Sequence, residues 1–73
     1  MFAIHRQKRN FVVSSIDHMS NLVLVEDLLS GLHIGVPFGP RELVKAEFTG
    51  EYELHFLYLD SSEKSVNLLM QGY

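Results

Sequence analysis

The residues best suited to chemistry in this chain lie between Ile16 and Leu24, where an aspartate and an asparagine flank three turn-forming positions: Ile16-Asp17-His18-Met19-Ser20-Asn21-Leu22-Val23-Leu24. A carboxylate before a tight turn can accept backbone N–H bonds across it. An asparagine at the exit offers one donor and one acceptor, the pair that reads a base edge. His18, beside the turn, is a candidate contact to a base or a phosphate. Arg6, Lys8 and Arg9 supply half of the six Lys and Arg residues within four positions, so any phosphate contact should centre there.

The remaining polar residues carry weaker signals. His5, His18, His33 and His55 lack the close spacing of metal ligands on one element, and no metal site is expected. Glu51 and Glu53 share one strand face, a pattern typical of solvation rather than of paired catalytic carboxylates. Tyr52, Phe56 and Tyr58 recur at period two, as in a base-stacking platform, but Leu54 lies in the same row and favours a core assignment. There is no phosphate-binding glycine loop and no nucleophile elbow, and 73 residues leave little room for a substrate pocket. The reading is therefore non-enzymatic, without a cofactor.

These groups need a scaffold, and the chain is long enough for one small domain spanning residues 1–73. A domain of this size buries only about 60% of the surface that its unfolded chain exposes. Hydrophobic residues make up 47% of the sequence, with a mean hydropathy of +0.08, more apolar material than one small core hides. With no cysteine for a staple, self-association is the expected outlet. No run approaches the length of a membrane span and no signal-peptide order is seen, so an intracellular, cytoplasmic protein is expected. The net charge of −3 conceals an asymmetry, since residues 10–73 carry three bases against nine acids.

Short apolar runs separated by turn residues predict an all-β fold. Phe2–His5 is a candidate short strand, and Phe11–Ile16 a second with Phe11, Val13 and Ile16 inward. Asn21–Glu26, apolar on both faces, should be central, with a continuation through Leu29 as the alternative end. Ser30-Gly31 suits a hairpin turn returning through Leu32–Ile34. Pro40 followed by Glu42 suits the start of a short helix ending near Gly50, while Leu43–Phe48 equally fits an extended segment. Tyr52, Leu54, Phe56 and Tyr58 alternate along a core strand. Asp60–Glu63 should be a hairpin loop, with Ser65–Gln71 pairing back. No linker, repeat or low-complexity run divides the chain.

The Ile16–Leu24 segment resembles the first motif of the Sm/LSm family, and Met70-Gln71-Gly72 resembles its second in part. The resemblance covers about a third of the chain. It implies a small, strongly bent, five-stranded Sm-like or SH3-like barrel, assembling edge to edge into homo-oligomeric rings of six or seven copies that bind single-stranded RNA. By position, Asn21 would hydrogen-bond the base, Met19 stands where an aromatic or His usually stacks, and Gln71 replaces the basic residue that closes the pocket. Phe11 stands where the family often has Gly, and only Tyr73 follows Gly72. The expected RNA-binding set is thus Asn21, Met19, His18, Gln71, Arg6, Lys8 and Arg9, with Asp17 bracing the turn. The alternative is an SH3-like protein-interaction or assembly module, or a small regulatory inhibitor, without RNA binding. A second resemblance joins Arg6-Gln7-Lys8-Arg9 to Asp27-Leu28-Leu29-Ser30-Gly31. That combination is similar to PilZ domains, cyclic-dinucleotide receptors with an Arg-xxx-Arg and an Asp-x-Ser-xx-Gly, although both spacings differ here.

Overall fold

The computed structural model describes residues 10–70. Within them the chain forms six strands and no helix: β1 (Phe11–Asp17), β2 (Leu22–Asp27), β3 (His33–Pro37), β4 (Leu43–Phe48), β5 (Glu53–Tyr58) and β6 (Glu63–Asn67). Two antiparallel three-stranded sheets result, ordered β1-β2-β3 and β4-β5-β6, and β1 and β4 lie against each other where the sheets meet. The all-β expectation holds. The five-stranded closed barrel does not: there are six strands, and no ladder joins the two sheets among the described residues.

Alternation explains which strands are central. In β2, Val23, Val25 and Asp27 are buried while Leu22, Leu24 and Glu26 are half-buried on the other face. In β5, Leu54, Phe56 and Tyr58 point inward and Glu53, His55 and Leu57 outward. Both strands are paired on each side, so their backbone groups are satisfied within the sheet. In β1, Val13 and Ile16 are three residues apart yet both pack on the core. A bulge between Val13 and Ser15 inserts one residue against β2 and resets the alternation.

The structure resolves the ambiguity at residues 43–48. Leu43 is buried and Ala46 and Phe48 pack on the core across a second bulge, between Leu43 and Lys45, so this segment is β4 and not a helix. Two further boundaries move. The central strand ends at Asp27, whose carboxylate Oδ1 accepts the Leu29 N–H at 3.0 Å and turns the chain before Leu29. The last strand runs over Glu63–Asn67, not Ser65–Gln71, because the Asn67 side-chain oxygen accepts the Leu69 and Met70 N–H groups and lifts them out of the ladder. The expected strand at Phe2–His5 lies outside the described residues.

Although the sequence shows no repeat, the two sheets are built alike. Leu28 N–H donates to Asn10 C=O and Asp27 N–H to Leu32 C=O, while Phe38 N–H donates to Asn21 C=O. Thirty to thirty-two positions later the same three bonds recur as Leu59 to Glu42, Tyr58 to Ser62 and Leu68 to Tyr52. The buried side chains occupy matching places: Phe11 with Leu43, Val23 with Leu54, Val25 with Phe56, and Phe38 with Leu68. One core is thus shared by two similar meanders, each contributing the inner face of its sheet.

This arrangement gives the molecule two distinct ends. One holds the β1–β2 turn, the 38–42 connection and the β5–β6 turn. The other holds the start of β1, the β2–β3 turn, the β4–β5 turn and residues 68–70, joined by contacts of the Phe11 ring with Phe48 and Tyr52. Among the described residues no helix is long and apolar enough to cross a membrane.

Candidate binding cleft at the sheet junction

The β1–β2 turn is organised by Asp17. Its Oδ1 accepts the Met19 N–H at 3.0 Å and the Ser20 N–H at 3.2 Å. The bond from Ser20 is the main reason the Asp17 carboxyl is held below its ordinary pKa. Asn21 then adopts a left-handed backbone, with φ of 55°, a conformation that asparagine tolerates better than most residues. Its carbonyl accepts the Phe38 N–H at 3.0 Å and so fastens the turn to the chain leaving β3.

Phe38 links this turn to the second sheet. Its buried ring meets His18 edge-on at 6.2 Å and Phe56 at 6.4 Å, and its carbonyl accepts the Tyr58 hydroxyl proton at 2.7 Å. Desolvation raises the pKa of that phenol. The chain continues through Gly39, whose φ of 90° suits glycine, to Pro40 and Arg41. The Arg41 guanidinium donates to Ser62 Oγ at 2.8 Å and lies 5.7 Å from the centre of the Tyr58 ring, within cation–π range.

A cleft of about 370 Å³ opens between these elements, lined by His18, Asn21, Phe38, Pro40, Arg41 and Glu42. Its neighbour, of about 320 Å³, lies beyond Arg41 and includes Tyr58, Glu63 and Lys64. Arg41 borders both, as well as a shallower hollow beside Leu59 and Asp60. The Asp60 carboxyl is held below its usual pKa, chiefly by the Ser62 hydroxyl. The two full cations, Arg41 and Lys64, are therefore interleaved with Glu42, Asp60 and Glu63. Such a surface suits a ligand read by hydrogen bonds and stacking more than one held by bulk charge.

Of the residues singled out from sequence, Asp17, His18, Met19 and Asn21 sit together in this turn. His18 and Asn21 line the cleft, whereas Met19, 98% exposed, projects at the turn's tip. Gln71, Arg6, Lys8 and Arg9 lie outside the described residues. Arg41, Phe38 and Pro40 were missed. Their sequence signal was the Gly35–Pro40 cluster running into an isolated arginine, which reads locally as a helix start. Phe56 and Tyr58 belong to the core, not to an exposed stacking platform.

A second polar cluster sits at the opposite end. Asp27, 4% exposed, braces the β2–β3 turn, where Ser30 Oγ accepts the Leu32 N–H at 3.2 Å and Gly31 takes a φ of 76°. The Leu28 N–H donates to Asn10 C=O at 2.8 Å, so the residue that follows Arg9 in the chain is fixed beside this turn.

Compared with models of protein families, with curated proteins and with solved structures, the chain finds no match.

Proposed function

We propose that this chain is a non-enzymatic binding module for single-stranded RNA, with the cleft between the β1–β2 turn and Arg41 as its base-reading site. One observation carries the reading: Asn21, fixed through its own backbone to Phe38, lines a cleft that also holds His18 and Arg41. The Asn21 carboxamide is engaged in none of the side-chain hydrogen bonds within the described residues, so its donor and acceptor remain available to a base edge. Arg41 offers a planar cation to a phosphate or a base face, and His18 a ring at the cleft wall. The acidic surroundings predict modest affinity with contributions from few phosphates.

Fluorescence titration with short oligo-U and oligo-A RNA at two salt concentrations tests this. Asn21→Gly keeps the left-handed backbone while removing the side chain, and is a cleaner probe than Asn21→Ala. Binding at low salt that weakens at least about tenfold in Asn21→Gly and in Arg41→Ala supports the reading. No binding at low salt removes it in favour of a protein-interaction or assembly module.

A second reading has one observation in its favour. The Leu28 N–H donates to the Asn10 carbonyl, so the Asp27–Gly31 turn, one of the two segments with a partial likeness to PilZ motifs, lies beside the residue that follows the other in the sequence. On that reading the ligand is a cyclic dinucleotide. Calorimetric titration with cyclic dinucleotides of guanine and of adenine decides it, and heat that disappears in Arg9→Ala is the supporting result.

A further inference from the structure

We infer that the cleft beside Asn21 is half of a two-nucleotide site: a second nucleotide occupies the neighbouring hollow at Lys64, and the phosphate joining the two rests on Arg41. This rests on the RNA reading and names its ligand more closely, as a dinucleotide step. The two openings measure about 370 and 320 Å³ and share Phe38, Pro40 and Arg41 as a common wall. Each is at the low end of the about 300–1,000 Å³ typical of small-ligand sites, so each takes one nucleotide and two need both. Arg41 is held on this wall from two sides, by Ser62 Oγ and by the Tyr58 ring. The Ser62 hydroxyl donates in turn to Asp60 Oδ1, which also accepts the Ser62 N–H at 2.9 Å. A guanidinium fixed in this way loses little side-chain freedom on meeting a phosphate, and Ser62 engages only part of its fork of N–H donors.

The two like-built sheets show what sets the second hollow apart. In the β2–β3 ladder, Val25 pairs with Ile34, which packs on the core. At the matching place in the second sheet Phe56 pairs with Lys64. A cation thus stands in the inward row where the first sheet carries an aliphatic side chain, and it is exposed at the hollow instead of covered. Tyr58 is a second departure. It matches Asp27, which braces its own turn through the Leu29 N–H, whereas Tyr58 reaches across to the Phe38 carbonyl and lies under Arg41. Both departures line the second hollow, and core packing does not account for the cation. The carboxylates nearby leave the path from Arg41 to Lys64 open. Glu42 lines the first cleft and not the second hollow, Asp60 is engaged by Ser62, and Glu63 has its Oε1 2.8 Å from His55 Nε2. Lys64 is therefore placed to meet the outer phosphate of the second nucleotide.

NMR titration of the full chain at low salt with pUp and pUpUp, and with pAp and pApAp, tests the inference. Phosphates at both ends let either strand polarity present one to Lys64. The expected result is a dinucleotide bound at least about tenfold more tightly than the mononucleotide. The Gly39 and Lys64 amides shift with the dinucleotide alone, and the Asn21 side-chain amide with both. In Lys64→Gln and in Lys64→Ile the affinity ratio falls below about threefold, and Lys64→Arg restores it. Lys64→Ile installs the residue that the first sheet carries at this place, and circular dichroism checks that both variants fold. Lys45→Ala removes an exposed cation that pairs with Glu47 outside both openings, and leaves the ratio unchanged. Equal affinity for the two lengths, or a ratio that stays as high in Lys64→Gln and Lys64→Ile as in Lys45→Ala, overturns the inference and leaves the single-base cleft standing. No binding of any of the four nucleotides overturns both.

Discussion

The Tyr58 hydroxyl donates to the Phe38 carbonyl across 2.7 Å, and this buried bond ties the central strand of the second sheet to the segment that leaves the first. The donor is on the inner face of β5, and the acceptor residue is the one that Asn21 anchors through its own carbonyl. The candidate cleft therefore depends on a hydrogen bond between the two halves of the molecule.

Removing the donor in Tyr58→Phe leaves the Phe38 carbonyl without that partner. The expected cost is about 1–2 kcal/mol, read as a lower urea midpoint with an unchanged slope. The raised pKa of Tyr58 adds a pH dependence. Its contribution to stability is complete below the ordinary tyrosine value and is lost as pH rises through the higher folded-state value. Stability measured across the alkaline range should fall more gently in Tyr58→Phe than in the parent chain.

Asp17 predicts the opposite limb. Its folded pKa is lowered, so its stabilising effect is present above the usual aspartate value and disappears as pH falls through the lowered one. Carboxyl chemical shifts followed by NMR should place the Asp17 midpoint below that of a free aspartate. Asp17→Ala should erase this acid-limb contribution and loosen the Met19 and Ser20 amides, seen as faster hydrogen exchange. A midpoint at or above the free value contradicts the turn geometry.

Gly31 has open space around its missing side chain but a φ of 76°. Gly31→Ala should therefore cost about 1–2 kcal/mol through backbone strain alone, with Gly31→Asn costing less. Gly35 has the reverse problem. A Cβ there would sit 3.3 Å from the end of the Leu22 side chain, which can shift. Thermal melts of Gly31→Ala and Gly31→Asn separate strain from crowding.

Phe56 and Leu59 lie three residues apart, one wholly buried and the other 64% exposed. Phe56→Ala should cost about 3–5 kcal/mol, enough to unfold much of a domain this small. Leu59→Ala should stay within about 0.5 kcal/mol. Comparable losses at both positions contradict the inward row of β5.

Much of this was legible in the residues. The alternation of Leu54, Phe56 and Tyr58 with Glu53 and His55 is a local property of one strand, and it correctly identifies the face that enters the core. The two-sided apolar run at Leu22–Val25 marks a central strand for the same reason. The Asp17 turn is equally local, because the carboxylate bonds amides only two and three residues away. Where two local signals competed, at Pro40–Phe48, the sequence could not choose. Leu43, Ala46 and Phe48 are satisfied as a strand only because β5 is there to pair with them.

By itself, then, the sequence determined the all-β class, the central place of the Leu22–Val25 strand, the inward row of β5 and the braced turn before Asn21, since each follows from neighbours along the chain. Tertiary structure alone decided that the described residues form six strands in two like-built sheets, that two bulges correct their alternation, and that Arg41 stands across a cleft from Asn21. Pairing partners and the meeting of distant loops depend on how whole sheets pack, and side-chain periodicity does not encode that.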